Sequence, residues 1–277
     1  MTCATPLPCK PADFRSEVKP IWCPGCGDYH VLMSITRAFA EIGVPPERLA
    51  VVSGIGCSSR IPAYTRCYGF HGVHGRGLAV AAGLKLARPD LTVVAASGDG
   101  DGYSIGGNHF LHACRRNVDL TYIVMDNHIY GMTKGQPSPT TEPDFDTALA
   151  PGGTGLRPFH PLVVALASGA NFVARAFSGN VAETATIIAE AIRHPGFSFV
   201  EILSPCVTFR PDQKGWKDLV RPAPVNATDD PGRAARRLMS DDGFVLGVLY
   251  RGSRRPYRPR EPSREGDLRA IEGDFEL

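Results

Sequence analysis

Two cysteines set two residues apart, Cys23 and Cys26 in "WCPGCGDYH", open the chemistry of this chain. Pro24 kinks the pair, and Gly25 and Gly27 loosen it. Two thiols that close can form a disulfide, hold zinc, exchange electrons with another thiol, or grip an iron–sulfur cluster. A second stretch, "SGDGDGYSIGGN" (97–108), reads as a Gly-rich turn between a strand and a helix. Its glycines let backbone N–H groups approach an anion, and the next helix presents its positive end. Yet Asp99 and Asp101 would repel a bare phosphate. A hard cation such as Mg²⁺, held by one or two protein oxygens plus phosphate oxygens, resolves that conflict. Two nucleotide fingerprints fail on spacing. There is no G-x-x-x-x-G-K-[ST], and a G-x-G-x-x-G would need glycine where Tyr103 stands. A lone GDG could be a plain turn, but Asn127 in "VMDNHIYG" closes the next predicted strand. Adjacent strand ends can bring Asp99 and Asn127 onto one metal.

The elements that must carry these residues alternate. Strands are expected over 49–56, 91–100, 119–127, 170–177 and 197–203, with helices over 75–89, 104–117 and 181–194. That pattern predicts an α/β fold, a mainly parallel sheet with helices on both faces. Ligands of such sheets bind beyond the carboxyl ends of the strands. The Gly-, Pro- and Thr-rich segment 128–161 reads as a long functional loop. After Cys206 periodicity fades, and only 241–251 looks regular. We therefore divide the chain into an N-terminal segment (1–17), a main domain (18–206) and an irregular C-terminal extension (207–277). "RGSRRPYRPR" (251–260) carries five arginines and no acid. It reads as a solvated tail or as a surface for an acidic partner.

The totals set bounds. The chain has 277 residues, enough to bury a full core, with 43% apolar and 21% charged residues and a net charge of +2. Nothing in that balance points to nucleic acid. No apolar run approaches the roughly 18–20 residues needed to span a bilayer, and "MTCATPLPCKPADF" lacks a signal-peptide core. The expectation is a cytoplasmic protein without membrane or nucleic-acid partners. In that compartment the eight cysteines are not a disulfide framework. Cys114 reads as a small buried hydrophobe in a helix, and Cys3 and Cys9 fall in a Pro-containing N-terminal segment. Cys23, Cys26, Cys57, Cys67 and Cys206 remain to be explained.

A GDG followed by Asn at this distance resembles the signature of thiamine-diphosphate enzymes. The resemblance implies that Asp99, the Asn127 side chain and a backbone carbonyl near Ile129 hold Mg²⁺, which holds the diphosphate. Read in order, "WCPGCGDY", "GIGCSSR", "HGVHGRGLAVAAGLKLARPDLTVVAASGDGDGYSIGGNH", "MDNHIYGMTKGQPSPTT" and "EILSPCVTF" are more specific. Together they resemble the β subunits of two-subunit 2-oxoacid:ferredoxin oxidoreductases, most of all the 2-oxoglutarate type, over about residues 18–210. The resemblance implies one 4Fe–4S cluster on Cys23, Cys26, Cys57 and Cys206, with Cys67 structural. It sets Ile55, Gly56, Cys57, Ser58 and His74, together with Gly98, Gly100 and Asp101, against thiamine diphosphate. It also implies oxidative decarboxylation of a 2-oxoacid with CoA to an acyl-CoA and CO₂, with electrons passing through the cluster to ferredoxin. An α subunit, in an αβ or (αβ)₂ assembly, would supply the carboxylate that activates the cofactor's aminopyrimidine. Arg60 and Lys134 are candidates for the substrate carboxylate or CoA; His30 and His128 read as structural. Two rivals stand beside this reading: a non-redox thiamine-diphosphate lyase or decarboxylase, and a zinc-stabilised interaction module.

Overall fold

A computed structural model describes residues 9–224 and 226–258. In chain order the first half runs α1 (Asp28–Ile42), β1 (Leu49–Ser53), α2 (Ile61–Tyr64), β2 (Tyr68–His71), α3 (Gly77–Ala87), β3 (Thr92–Gly98), α4 (Gly107–Arg116) and β4 (Thr121–Asp126). The second half adds α5 (Pro161–Ala167), β5 (Phe172–Phe177), α6 (Val181–Arg193), β6 (Ser198–Leu203), α7 (Trp216–Leu219), β7 (Arg221–Pro222), α8 (Pro231–Met239) and β8 (Val245–Arg251). The strands form one sheet in the order β2-β1-β3-β4-β6-β5-β8-β7. All neighbours are parallel except β5 and β8.

Side chains alternate across the sheet, so each strand feeds two cores. In β3, Val93 and Ala95 face the core made with α3, α4, α5 and α8, while Val94 and Ala96 face the one made with α1 and α6. Burial on both faces is why the central strands read as continuous apolar runs. Helix α1 buries Val31, Leu32, Ile35, Ala38 and Phe39, the i, i+3, i+4 stripe of an amphipathic helix. Each of the Val, Leu, Ile and Phe side chains contributes roughly 1.5–3 kcal/mol of transfer free energy. The helix stops at Gly43, whose φ of 70° suits a residue without Cβ.

The α/β expectation holds, with shorter elements: strand 91–100 is Thr92–Gly98 and helix 75–89 is Gly77–Ala87. Seven elements lie where none was expected: α1, α2, β2, α5, α7, β7 and α8. Helix α1 follows the Cys-x-x-Cys turn directly, and β2 is an edge strand of four exposed residues, so it carries no alternation. Helix α8 follows Cys206 by more than a turn of chain and puts Ala234 and Leu238 into the core beside α5. Packing therefore continues across residue 206, and β8 extends the main sheet. The arginine run is partly engaged as well. Arg251 Nη2 donates to Glu190 at 2.5 Å, and Arg254 donates to the carbonyls of Arg115 and Gly169, just where α4 and α5 leave carbonyls unpaired. Arg260 and Cys3 lie outside the described residues, whereas Cys9 packs against the α1 core. No helix among the described residues is long and apolar enough to cross a membrane.

Candidate active site

Six parallel strands deliver their carboxyl ends to one edge of the sheet. Beyond that edge lies a cleft of about 130 Å³, lined by Ile55, Gly56, Cys57 and Ser58 after β1, His74 after β2, Gly98 to Asp101 after β3, and Asn127 and Ile129 to Thr133 after β4. Every residue expected at thiamine diphosphate or Mg²⁺ is on this one surface. Arg60 and Lys134 are not. Arg60 is half-buried and donates from Nε to the Tyr64 hydroxyl at 3.1 Å, and Lys134 is exposed in the turn beyond Met132.

Asp101 ties the loops together. Its Oδ1 accepts from the Ile55 N–H at 3.0 Å, the Gly75 N–H at 2.7 Å and His74 Nδ1 at 2.5 Å; its Oδ2 accepts from Ser97 Oγ at 2.8 Å. The carboxylate thus joins the ends of β1, β2 and β3 and is 3% exposed. A Cβ on Gly54 would sit 2.1 Å from its Oδ2, which is why glycine precedes Ile55. With Nδ1 on Asp101, His74 keeps Nε2 as its other ring nitrogen for a ligand.

Asp99 differs. The backbone enters helical geometry at this residue and winds as a wide turn through Gly100–Ile105 before α4. Its carboxylate is 2% exposed, and the Thr140 hydroxyl lies 3.0 Å from Asp99 Oδ2 and 2.8 Å from Asp126 Oδ1. One hydroxyl cannot donate to both at once. Asp126 Oδ2 has no hydrogen-bond partner among the described residues. Burial raises the proton affinity of Asp99; burial and the neighbouring Asp99 charge hold Asp126 well above the ordinary carboxylate range. Two buried acids side by side call for a compensating cation or a proton.

The β4 exit is equally specialised. Asn127 Oδ1 accepts from the Ile129 N–H at 3.1 Å, and His128 between them takes a φ of 54°. The Ile129 carbonyl accepts no hydrogen bond from the described residues. Tyr130, which sequence reasoning missed, donates its hydroxyl to the Gly100 carbonyl at 3.0 Å, and its ring leaves 2.2 Å for any Cβ on Gly100. Thr140 was missed too. An aromatic just past Asn127 and a "SPTT" cluster in the same loop were the available signals.

The cysteines approach from three segments. Cys26 N–H bonds the Cys23 carbonyl at 3.0 Å, Trp22 Nε1 bonds the Cys57 carbonyl at 2.8 Å, and Gly27 N–H bonds the Pro205 carbonyl at 3.1 Å. All four are free thiols, with Cys23 exposed and the others half-buried. Burial pushes Cys57 up to about 11, with Asp28, Cys206 and Cys23 adding to it; burial raises Cys26 and Cys206 as well. Among the described residues no three His, Cys, Asp or Glu side chains stand ready around a single ion. His71 Nδ1 bonds the Ser59 carbonyl at 2.7 Å, Cys67 is half-buried beside Thr65, and His128 pairs with Glu142 at 3.0 Å. His30 is exposed.

Fold and cleft define a thiamine-diphosphate-binding domain of the α/β class. The family profile described as "Thiamine pyrophosphate enzyme, C-terminal TPP binding domain" matches residues 54–202. The 2-oxoglutarate oxidoreductase subunit KorB of Mycobacterium tuberculosis is 47% identical over 205 residues, 74% of this chain and 55% of that protein. Subunit beta of 2-oxoacid:ferredoxin oxidoreductase 2 from Aeropyrum pernix is 38% identical over 253 residues, 86% of this chain and 82% of that one. The 2-oxoglutarate:ferredoxin oxidoreductase from Magnetococcus marinus, solved with 2-oxoglutarate, coenzyme A and succinyl-CoA bound, superposes with a TM-score of 0.89 at 40% identity, covering 97% of both chains. The chain belongs to the family of 2-oxoacid:ferredoxin oxidoreductase β subunits.

Proposed function

We propose that this chain is the β subunit of a CoA-acylating 2-oxoacid:ferredoxin oxidoreductase acting on 2-oxoglutarate. The observation that carries this reading is the cleft in which Cys57 lines the same wall as Asp99, Asn127 and Ile129. A redox-active sulfur ligand and a diphosphate site on one surface suit an enzyme that cleaves carbon–carbon bonds and removes electrons. A non-redox thiamine enzyme has no use for the cysteines.

The residues fit the two inorganic groups. Asp99, Asn127 Oδ1 and the unpartnered Ile129 carbonyl are oxygen donors of the kind Mg²⁺ takes, and a cation offsets the cost of burying Asp99 beside Asp126. Four free thiols from three segments suit a 4Fe–4S cluster, in which each thiolate binds a different iron and the sulfurs stand wider apart than around one zinc ion. Zinc ribbons pair two short Cys-x-x-Cys knuckles, whereas here Cys57 and Cys206 are single and far along the chain, which favours the cluster over a zinc module.

When bound, thiamine diphosphate supplies the bond cleavage of the 2-oxoacid and the cluster carries single electrons. The chain's own residues do the rest. Asp99 and the Asn127–Ile129 turn would hold the cation that anchors the diphosphate. Asp101 holds Ile55 and His74 in place around it, and His74 Nε2 remains as a hydrogen-bonding group at the cleft. Cys57, in the cleft wall, would be the ligand that brings the cluster to the cofactor's site. Water must be excluded by another chain, because Ile55 and Met132 of the cleft wall are 38% and 45% exposed, and Phe70, Val73 and Ile105, near His74 in chain or across Gly75, are exposed as well. We assign this apolar collar to the α subunit, which would also bring the activating carboxylate, and we assign ferredoxin as the electron acceptor in a cytoplasmic enzyme.

The test is anaerobic copurification with the partner subunit, followed by CoA-dependent viologen reduction over a panel of 2-oxoacids. Reduction should be fastest with 2-oxoglutarate, and the complex should contain iron and acid-labile sulfide. A complex that decarboxylates 2-oxoacids without iron and without reducing viologen would instead be the non-redox lyase.

A further inference from the structure

Gln213 lies in the turn between Cys206 and α7, and it is 1% exposed. Both ends of its amide are engaged. Nε2 donates to the Asn127 carbonyl at 2.6 Å, and Oε1 accepts from the Cys206 N–H at 2.9 Å. The amide has only one workable orientation here, since a carbonyl can only accept and an N–H can only donate. The turn itself is fixed by Arg210 N–H on the Cys206 carbonyl at 2.8 Å and Gln213 N–H on the Arg210 carbonyl at 3.1 Å. Arg210 adds a parallel link, donating to Glu142 Oε2 at 2.8 Å and to the His128 carbonyl at 3.4 Å. The two loops are already neighbours: a Cβ on Gly131, in the cleft wall, would stand 3.5 Å from Cys206 Sγ.

We propose that Gln213 is a positioning residue that locks the Cys206 arm of the cluster to the Asn127 turn of the diphosphate site, so that filling one site is felt at the other. The inference rests on the cofactor assignment above. Its physical basis is that a buried amide spanning two backbone groups tolerates little change in their separation. If either loop shifts, a buried donor or acceptor is left unpaired.

The experiment uses the assembled complex. Gln213→Met keeps the side-chain length and removes both bonds. Gln213→Glu keeps the acceptor for Cys206 but turns lone pairs toward the Asn127 carbonyl. Two quantities are read: the Kd for Mg²⁺–thiamine diphosphate on cofactor-stripped complex by calorimetry, and the electron paramagnetic resonance spectrum of the dithionite-reduced cluster with and without that cofactor. The wild-type spectrum should change when the cofactor is added. In both variants Kd should rise ~10-fold, the loss of about one buried hydrogen bond, and the cofactor-dependent spectral change should vanish while iron per chain is kept. Should one variant fail to assemble, the other still decides. Unchanged Kd together with an unchanged spectral response overturns the role of Gln213. A wild-type complex that lacks iron, or does not bind the cofactor, overturns the cofactor assignment itself and the inference with it.

Discussion

Asp101→Asn isolates the tie that holds the cleft open. The substitution preserves shape and leaves one oxygen to accept from Ile55, Gly75 and His74, the three donors on Oδ1. Ser97 can turn its hydroxyl to accept from the new amide where it now donates. What is lost is charge. A hydrogen bond to an ionised group contributes roughly 1.5–3 kcal/mol and a neutral one roughly 0.5–1.5, so each of the three weakens by about 1 kcal/mol. The sum, about 3 kcal/mol, corresponds to a fall in Tm of roughly 6–12 °C for a chain of this size. Thermal unfolding of the purified subunit, with no cofactor added, gives the readout. A variant melting within about 1 °C of wild type would refute the idea that this carboxylate is structural glue. Asp99→Asn is the control. It removes a buried acid beside Asp126, so the cofactor-free subunit should be at least as stable as wild type.

Other expectations follow from the same geometry. Asp99→Ala should abolish calorimetric binding of Mg²⁺–thiamine diphosphate to the assembled complex, and Asn127→Ala should weaken it less; unchanged affinity in the first would remove the metal role. Ser in place of Cys23, Cys26, Cys57 or Cys206 should lower iron content and end viologen reduction, while Cys67→Ser and Cys114→Ser should not. Phe70→Asp with Val73→Asp should block copurification with the α subunit, since both apolar side chains lie more than half exposed within four residues of His74. Burial and Asp99, opposed by the Ser204 hydrogen bond, lift Asp28 to about 6 from an ordinary 3.8. A carboxyl with a raised folded value contributes stability fully present below about pH 4 and lost as pH rises through about 6. Asp28→Asn keeps the Ser204 partner, so it should stabilise the iron-free subunit by about 3 kcal/mol above pH 6 and change little near pH 4. Equal Tm shifts at pH 4.5 and pH 8 would contradict that assignment.

What the sequence by itself determined was the alternation of buried strands and helices, and the polar groups that stand at strand ends. Apolar periodicity survives any packing detail, because both faces of a central strand must be covered. Glycine, aspartate and asparagine at Gly98, Asp99 and Asn127 mark strand exits because the chain must turn there. Only the tertiary structure decided what each of those groups touches. Asp99 and Asp101 are two residues apart in one loop and look alike in sequence. One faces Asp126 across Thr140; the other is spent on four donors, three from the loops after β1 and β2 and one from the end of β3. Edge strand β2 left no trace because an exposed strand has no face to bury. Gln213 left none because a glutamine in a polar turn is ordinary until its neighbours are known. Its partners lie 7 and 86 positions away. Local sequence reports what a residue can do, whereas long-range backbone proximity, set by how the β4 and β6 exits lie side by side in the sheet, decides which of those things it does.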